Sequence, residues 1–351
     1  MQTATVQTKF IKDFSWGRFL LLGLVSLILA SSMLLAILVP FPLALVSVLF
    51  GRAKAFALYV GCLVVGIFLY QANIWGSEIL FVYIGCELIA FILGEILKHN
   101  MKPMKAMIIS GSSIFILSLS LLLIGASQLV NLGKIPAYEN NQELSVEAST
   151  VPNLVRNVKT FITLKMKEVG TLINKEKDNL TAPMNSESKD ILEVFSHPEL
   201  VIDEIVYSIP SALFVTIFFG LWINLFFLLR TNRFYHFSNA FTDKDLLNFK
   251  VPDFMVWIVV LSLAIVVFGE GYLPKNLRLL GNGLVQCLGL FYFFQGFGIF
   301  MEFLDYLKIQ GIFRSLLVIL TIISGWWIIA SVGLFDLWVN FRRFFHRKTQ
   351  Q

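Results

Sequence analysis

The sequence predicts an all-α fold: a polytopic transmembrane helical bundle of eight to nine membrane segments carrying one polar helical insertion. Apolar runs such as Phe19 to Val39, Ala106 to Ala126 and Ser315 to Val339 approach the roughly 20 residues an α-helix needs to cross a bilayer's hydrocarbon core. Hydrophobic residues make up 57% of the chain and charged residues 15%, where a soluble domain carries about 25% charged residues. One long polar stretch, from Gln128 to Glu204, divides the apolar runs into two groups. The expected organisation is therefore an N-terminal transmembrane bundle over 1–127, a polar extracytoplasmic helical insertion over 128–205 and a C-terminal transmembrane bundle over 206–351.

The spans read as 19–39, 55–71, 78–97, 106–126, 206–229, 254–269, 278–304 and 315–339, with a short apolar piece at 41–50. Pro40 and Pro42 forbid one straight helix through this region, because proline lacks an N–H and clashes with the preceding turn. The piece is thus a short helix or a re-entrant hairpin. The polar N-terminal lead is too long for a secretory signal, so the first helix is expected to be retained.

Lys and Arg in short loops mark the cytoplasmic side. Lys9, Lys12 and Arg18 place the N-terminus inside, and Lys98, Lys102 and Lys105 do the same for the third connection. The two agree only when 41–50 effectively crosses, which brings Arg52 and Lys54 inside as well. Nine crossings would then put the C-terminus outside, against the basic cluster Arg342, Arg343, Arg347 and Lys348. That conflict requires 41–50 not to cross fully, or a break in the glycine-rich run Gly281 to Gly298.

Within 128–204 there are 8 Lys/Arg and 12 Asp/Glu, and the rest of the chain holds 20 and 11. The net charge of +5 is therefore juxtamembrane, and no nucleic-acid partner is expected. Leu154, Val158, Ile162, Met166, Val169 and Ile173 recur at helical spacing and predict an amphipathic helix over 151–175. A second short helix runs from Lys189 to Phe195, and 135–150 is too polar to order itself.

Ionisable side chains inside a span are costly and each needs a reason. Glu87 lies mid-span, as a proton- or cation-binding carboxylate or as a buried acid bonded to a neighbouring helix. Gln295, Gly298, Glu302 and Asp305 share one helical face, as a ligand site or as an interfacial pair with Lys308. Asn224, Asn282 and Gln286 serve either a ligand or helix–helix hydrogen bonds. Gly23, Ser26, Ala30, Ser32 and Ala36 give the first span a small-residue stripe that admits a second helix, from this chain or from a membrane partner. Cys62, Cys86 and Cys287 lie in apolar runs without metal or disulfide spacing, and the four histidines are scattered. With no HExxH, GxSxG or P-loop, neither an enzyme nor a cofactor nor a metal is expected.

Five stretches carry a resemblance: LVPFPLALVSVLFGRAKAF, SIPSALFVTIFFGLWINLFFLLR, FKVPDFMVWIVVLSL, NGLVQCLGLFYFFQGFGIFMEFL and GLFDLWVNFRR. In this order they resemble the YybS-like family of uncharacterised bacterial polytopic membrane proteins, with 128–204 as a longer insertion. That family is similar to the substrate-binding components of energy-coupling-factor vitamin transporters. The likeness falls on Pro40, Pro42, Gly51, Arg52 and Lys54, and it implies that 41–50 is a true short helix. What it suggests is a multi-pass protein of the bacterial cytoplasmic membrane that handles a small molecule. The alternative is a membrane scaffold acting through its first helix and 151–205.

The charge pattern yields a direct test of orientation. Single cysteines placed at Ser145 and Ser238, in a background lacking the three native ones, should differ in intact cells: an impermeant thiol reagent labels position 145 and spares 238. The opposite pattern would invert the assignment.

Overall fold

The fold comes from a computed structural model that describes residues 15–32, 35–98, 101–131, 159, 162–163, 166, 202–235, 241–269 and 272–347. Among these residues every regular element is helical: α1 (Trp16–Ser31), a 3-10 turn (Ala36–Leu38), α2 (Pro40–Phe50), α3 (Arg52–Gln71), α4 (Ser77–Lys98), α5 (Pro103–Asn131), α6 (Ile202–Tyr235), α7 (Asp243–Leu247), α8 (Met255–Phe268), α9 (Lys275–Tyr306), α10 (Gly311–Ser324), α11 (Trp326–Val339) and α12 (Phe341–Arg347). Two expectations for the polar insertion, the helix over 189–195 and the lack of order over 135–150, lie outside the described residues. So does most of the 151–175 helix; its Ile162 and Met166 are helical and pack against Ile202 and Val206.

Five of the described helices, α3, α4, α5, α6 and α9, are long and apolar enough to cross a membrane, and the count reaches six if a bent pair is one span. The expected eight to nine segments are not confirmed among the described residues, because the remaining apolar helices are short or bent. With 16 residues, α1 is about 24 Å long at 1.5 Å per residue, against a hydrocarbon core of about 30 Å. The 14 residues of α8 make about 21 Å on the same scale. The last run, expected as one span over 315–339, bends by 90° between α10 and α11. By contrast Gly281 to Gly298, where a break was suspected, lies in the 32-residue helix α9.

The proline-bounded piece is a helix, with Pro40 in its first turn and Gly51 at φ 88° ending it, a backbone conformation that favours glycine. Phe50 stacks edge-on against Phe19 at 5.7 Å, and Trp75 beyond α3 donates to Ser31 at the end of α1. Helices α1 and α3 therefore run in the same direction and α2 returns between them, so Arg52 and Lys54 sit at the end where α1 begins.

The chain groups into two compact units, Met1–Ser113 with Thr216–Met255 and Gly289–Gln351, and Ile114–Val215 with Val256–Leu288. In the first unit α2 is almost wholly enclosed: Val39, Leu43, Ala44 and Val46 have no exposed surface. Its other core is aromatic. Trp222 on α6 meets Phe294 and Phe297 on α9, both at 4.9 Å between ring centres. Phe218 faces Phe291 and Phe226 faces Phe297, so α6 and α9 are parallel in this unit. In the second unit Phe115 packs on Phe214, and Gly281 lets α9 approach Ser262 and Ile265 of α8.

The crossing of α9 and α11 is set by two glycines. A Cβ on Gly296 would strike the carbonyl of Ile329, and one on Gly333 would strike the carbonyl of Tyr292. Because the obstacle is backbone, Gly296→Val should lower detergent-solubilised stability by at least the roughly 1–3 kcal/mol typical of overpacking. Thermal unfolding checks this, with Gly289→Ala, which meets nothing within 4 Å, expected to remain near wild type.

Candidate functional site

Of the four polar residues nominated as ligand contacts, Gln295 and Glu302 enter one network in the first unit. Gln295 is 2% exposed. Its Oε1 accepts from the Val251 N–H at 2.8 Å, and its Nε2 donates to Asp336 Oδ2 at 3.1 Å. The other Asp336 oxygen accepts from the Phe341 N–H at 2.8 Å. Asn340, in a left-handed conformation at φ 52°, ends α11 with its N–H on the Asp336 carbonyl. This turn aims Arg342 back at the loop after α7, where it donates to the carbonyls of Leu247 at 2.8 Å and Phe249 at 3.3 Å. Glu302 lies 3.7 Å from Arg342. The expected partner Lys308 is not used: Asp305 pairs with Arg314, while Lys308 occupies a turn at φ 55° just past α9.

The amide of Asn224 also meets backbone. It donates to Gly220 one turn back at 2.6 Å and to Ile37 at 2.7 Å. Ile37 is where Pro40 removes the donor that would continue the 3-10 pattern. Cys86 approaches the neighbouring Ala36 carbonyl at 3.4 Å, and Tyr59 donates to Leu43 at 3.0 Å. Glu87 stands apart on α4; it is half-buried, and its Oε1 is enclosed with no hydrogen-bond partner among the described residues. Asn282 lines a cavity of about 540 Å³ in the second unit together with Glu204, Tyr207 and Arg278. There Ser211 donates to Gln286 at 2.9 Å.

The small-residue stripe of α1 is occupied within the chain. Gly23, Ser26 and Ala30 are buried, and a Cβ on Gly23 would come within 2.9 Å of Leu58 on α3. Ser26 donates to Gly23 and shares a hydrogen bond with Tyr83 on α4 at 3.1 Å. Ala36 is buried in the 3-10 turn and Ser32 caps α1. Beside this stripe, α1 and α3 leave an apolar groove of about 890 Å³. Leu20, Leu24, Gly61 and Val65 line it, with Trp16 and Lys54 at one end. Arg52, the other cation of that turn, is committed to a bidentate pair with Glu95 on α4.

Sequence reasoning nominated Gln295 and Glu302 without the partners that hold them, Asp336 and Arg342. Asp336 was detectable as an acid inside an apolar run, the criterion that singled out Glu87. Among the described residues no group of three His, Cys, Asp or Glu side chains is placed to hold a metal ion.

Apolar helices of membrane-spanning length, with polar side chains turned onto backbone groups, define an integral helical membrane protein. The chain belongs to the family described as Predicted membrane protein (DUF2232), which matches residues 19–337. No curated protein and no solved structure matches it.

Asp336 anchors the network, so removing its carboxylate leaves one buried N–H donor, on Gln295, and one half-buried donor, the Phe341 N–H, without acceptors. Asp336→Leu should cost roughly 2 kcal/mol or more, since each stranded donor is worth about 1–3 kcal/mol. Asp336→Asn, which keeps one acceptor oxygen, should cost less. Unfolding of the purified variants in detergent measures both, and an Asp336→Leu protein as stable as wild type would remove the network from the account.

Proposed function

We propose that this protein is a non-enzymatic, small-molecule-binding component of the bacterial cytoplasmic membrane, related to transport. Its ligand is an amphipathic molecule seated in the α1–α3 groove. The observation that carries the reading is the groove itself: about 890 Å³, apolar along its length, with a cation, Lys54, at one end. Ligand pockets combine such apolar walls with a few polar groups that fix orientation, and Lys54, which has contacts of its own within the fold, marks the polar end of the groove. The short helix α2 and its turn at Gly51 support the resemblance to the substrate-binding components of energy-coupling-factor transporters. The YybS-like resemblance rests on the five stretches quoted above, the first of which contains these residues.

The scaffold alternative is less favoured on its first-helix side, because the Gly23, Ser26 and Ala30 face is already covered by α3 and α4; its other side, 151–205, lies mostly outside the described residues.

Gly61 offers a clean test, since a Cβ there meets nothing within 4 Å while the residue lines the groove. Gly61→Leu should fold normally and lose a small molecule that co-purifies stoichiometrically with wild type, as read by native mass spectrometry. If wild type carries no such molecule, or the variant carries it equally, the proposal fails.

A further inference from the structure

A second cavity, charged rather than apolar, lies in the first unit where the chain around α7 meets the end of α9. It encloses about 530 Å³ and is lined by Arg230 at the end of α6, Asp243 and Lys244 on α7, Asp305 on α9 and Arg314 on α10. Leu247 and Met301 complete the wall and are themselves buried. The charges do not cancel. Arg314 is committed to Asp305, and Asp243, only 6% exposed, has contacts of its own. The side chains of Arg230 and Lys244 have no ion-pair or hydrogen-bond partner among the described residues. Three cations and two carboxylates thus line the cavity, and the two uncommitted cations, Arg230 and Lys244, are exposed at its mouth.

We propose that this cleft binds a phosphate group. Guanidinium forks match phosphate oxygens in pairs, and a lysine ammonium supplies a compact point charge to the same oxygens. Two sources present that chemistry: the headgroup of an anionic phospholipid, which attracts juxtamembrane Lys and Arg, or a free phosphate compound. The site is independent of the α1–α3 groove and shares no residue with it.

The full chain, purified in neutral detergent, is titrated with inorganic pyrophosphate while its unfolding temperature is followed. In parallel it is placed in nanodiscs of phosphatidylcholine with and without phosphatidylglycerol. A saturable stabilisation by pyrophosphate identifies a free phosphate compound; stabilisation by phosphatidylglycerol alone identifies the headgroup. In either case Arg230→Gln with Lys244→Gln should weaken the effect about tenfold or more, the scale of one lost charge-assisted hydrogen bond. Lys105→Gln, which removes a cation outside the cleft, should leave it unchanged, and Gly61→Leu should also bind normally. The proposal is overturned if neither probe gives a saturable effect, or if the cleft variant and Lys105→Gln weaken binding equally.

Discussion

Hydrocarbon offers no hydrogen bonds to a polypeptide, so each backbone group freed at a helix break must find its partner inside the protein. This constraint governs where the intramembrane polar side chains of this chain go. At the first break Pro40 removes the donor that would meet the Ile37 carbonyl, and Asn224 comes from another helix to take it up, while Cys86 adds a contact to the Ala36 carbonyl beside it. At the second, the irregular backbone around 247–251 and the turn at 340 expose N–H and C=O groups. Gln295, Asp336 and Arg342 take them up. Chain breaks and buried polar residues are thus two halves of one arrangement.

The same constraint explains what could be read from the sequence. The α-helical membrane class follows from run length and composition alone, and so does the family's apolar framework. The helix at 40–50 was legible because proline permits a helix only after itself, and glycine allows the abrupt end at 51. Span number was less legible. Apolar composition does not reveal a 90° bend at Gly325 or that α8 stops after 14 residues, since both depend on what packs alongside. A glycine-rich run such as Gly281 to Gly298 can signal a break or a close crossing, and here Gly296 serves the crossing.

Polar residues nominated as ligand contacts illustrate a similar limit. Gln295 and Asn224 are conspicuous in an apolar sequence whether they hold a ligand or a loop. Only three-dimensional partners separate the cases: Asn224 meets backbone, and Gln295 meets backbone at one end of its amide and Asp336 at the other. Glu302 was expected near Lys308 because the two are close in sequence. Arg342, forty residues further along, is the cation that reaches it, because the left-handed turn at Asn340 reverses the chain.

Among the described residues, Glu87, Arg230 and Lys244 are polar side chains not committed to a helix break. Glu87 has an enclosed oxygen with no partner among the described residues, but it lines neither the groove nor the charged cleft. Arg230 and Lys244 differ in being gathered around a cavity. An unmatched cation facing open water costs little, since water screens it. Arg230 and Lys244 are themselves exposed, so water screens part of their mutual repulsion, and the Arg314 beside them is matched by Asp305. A bound anion would remove that repulsion, whereas hydration alone would only reduce it. That asymmetry makes the cleft, rather than the more conspicuous mid-span acid, the place where the charges of this protein point to a ligand.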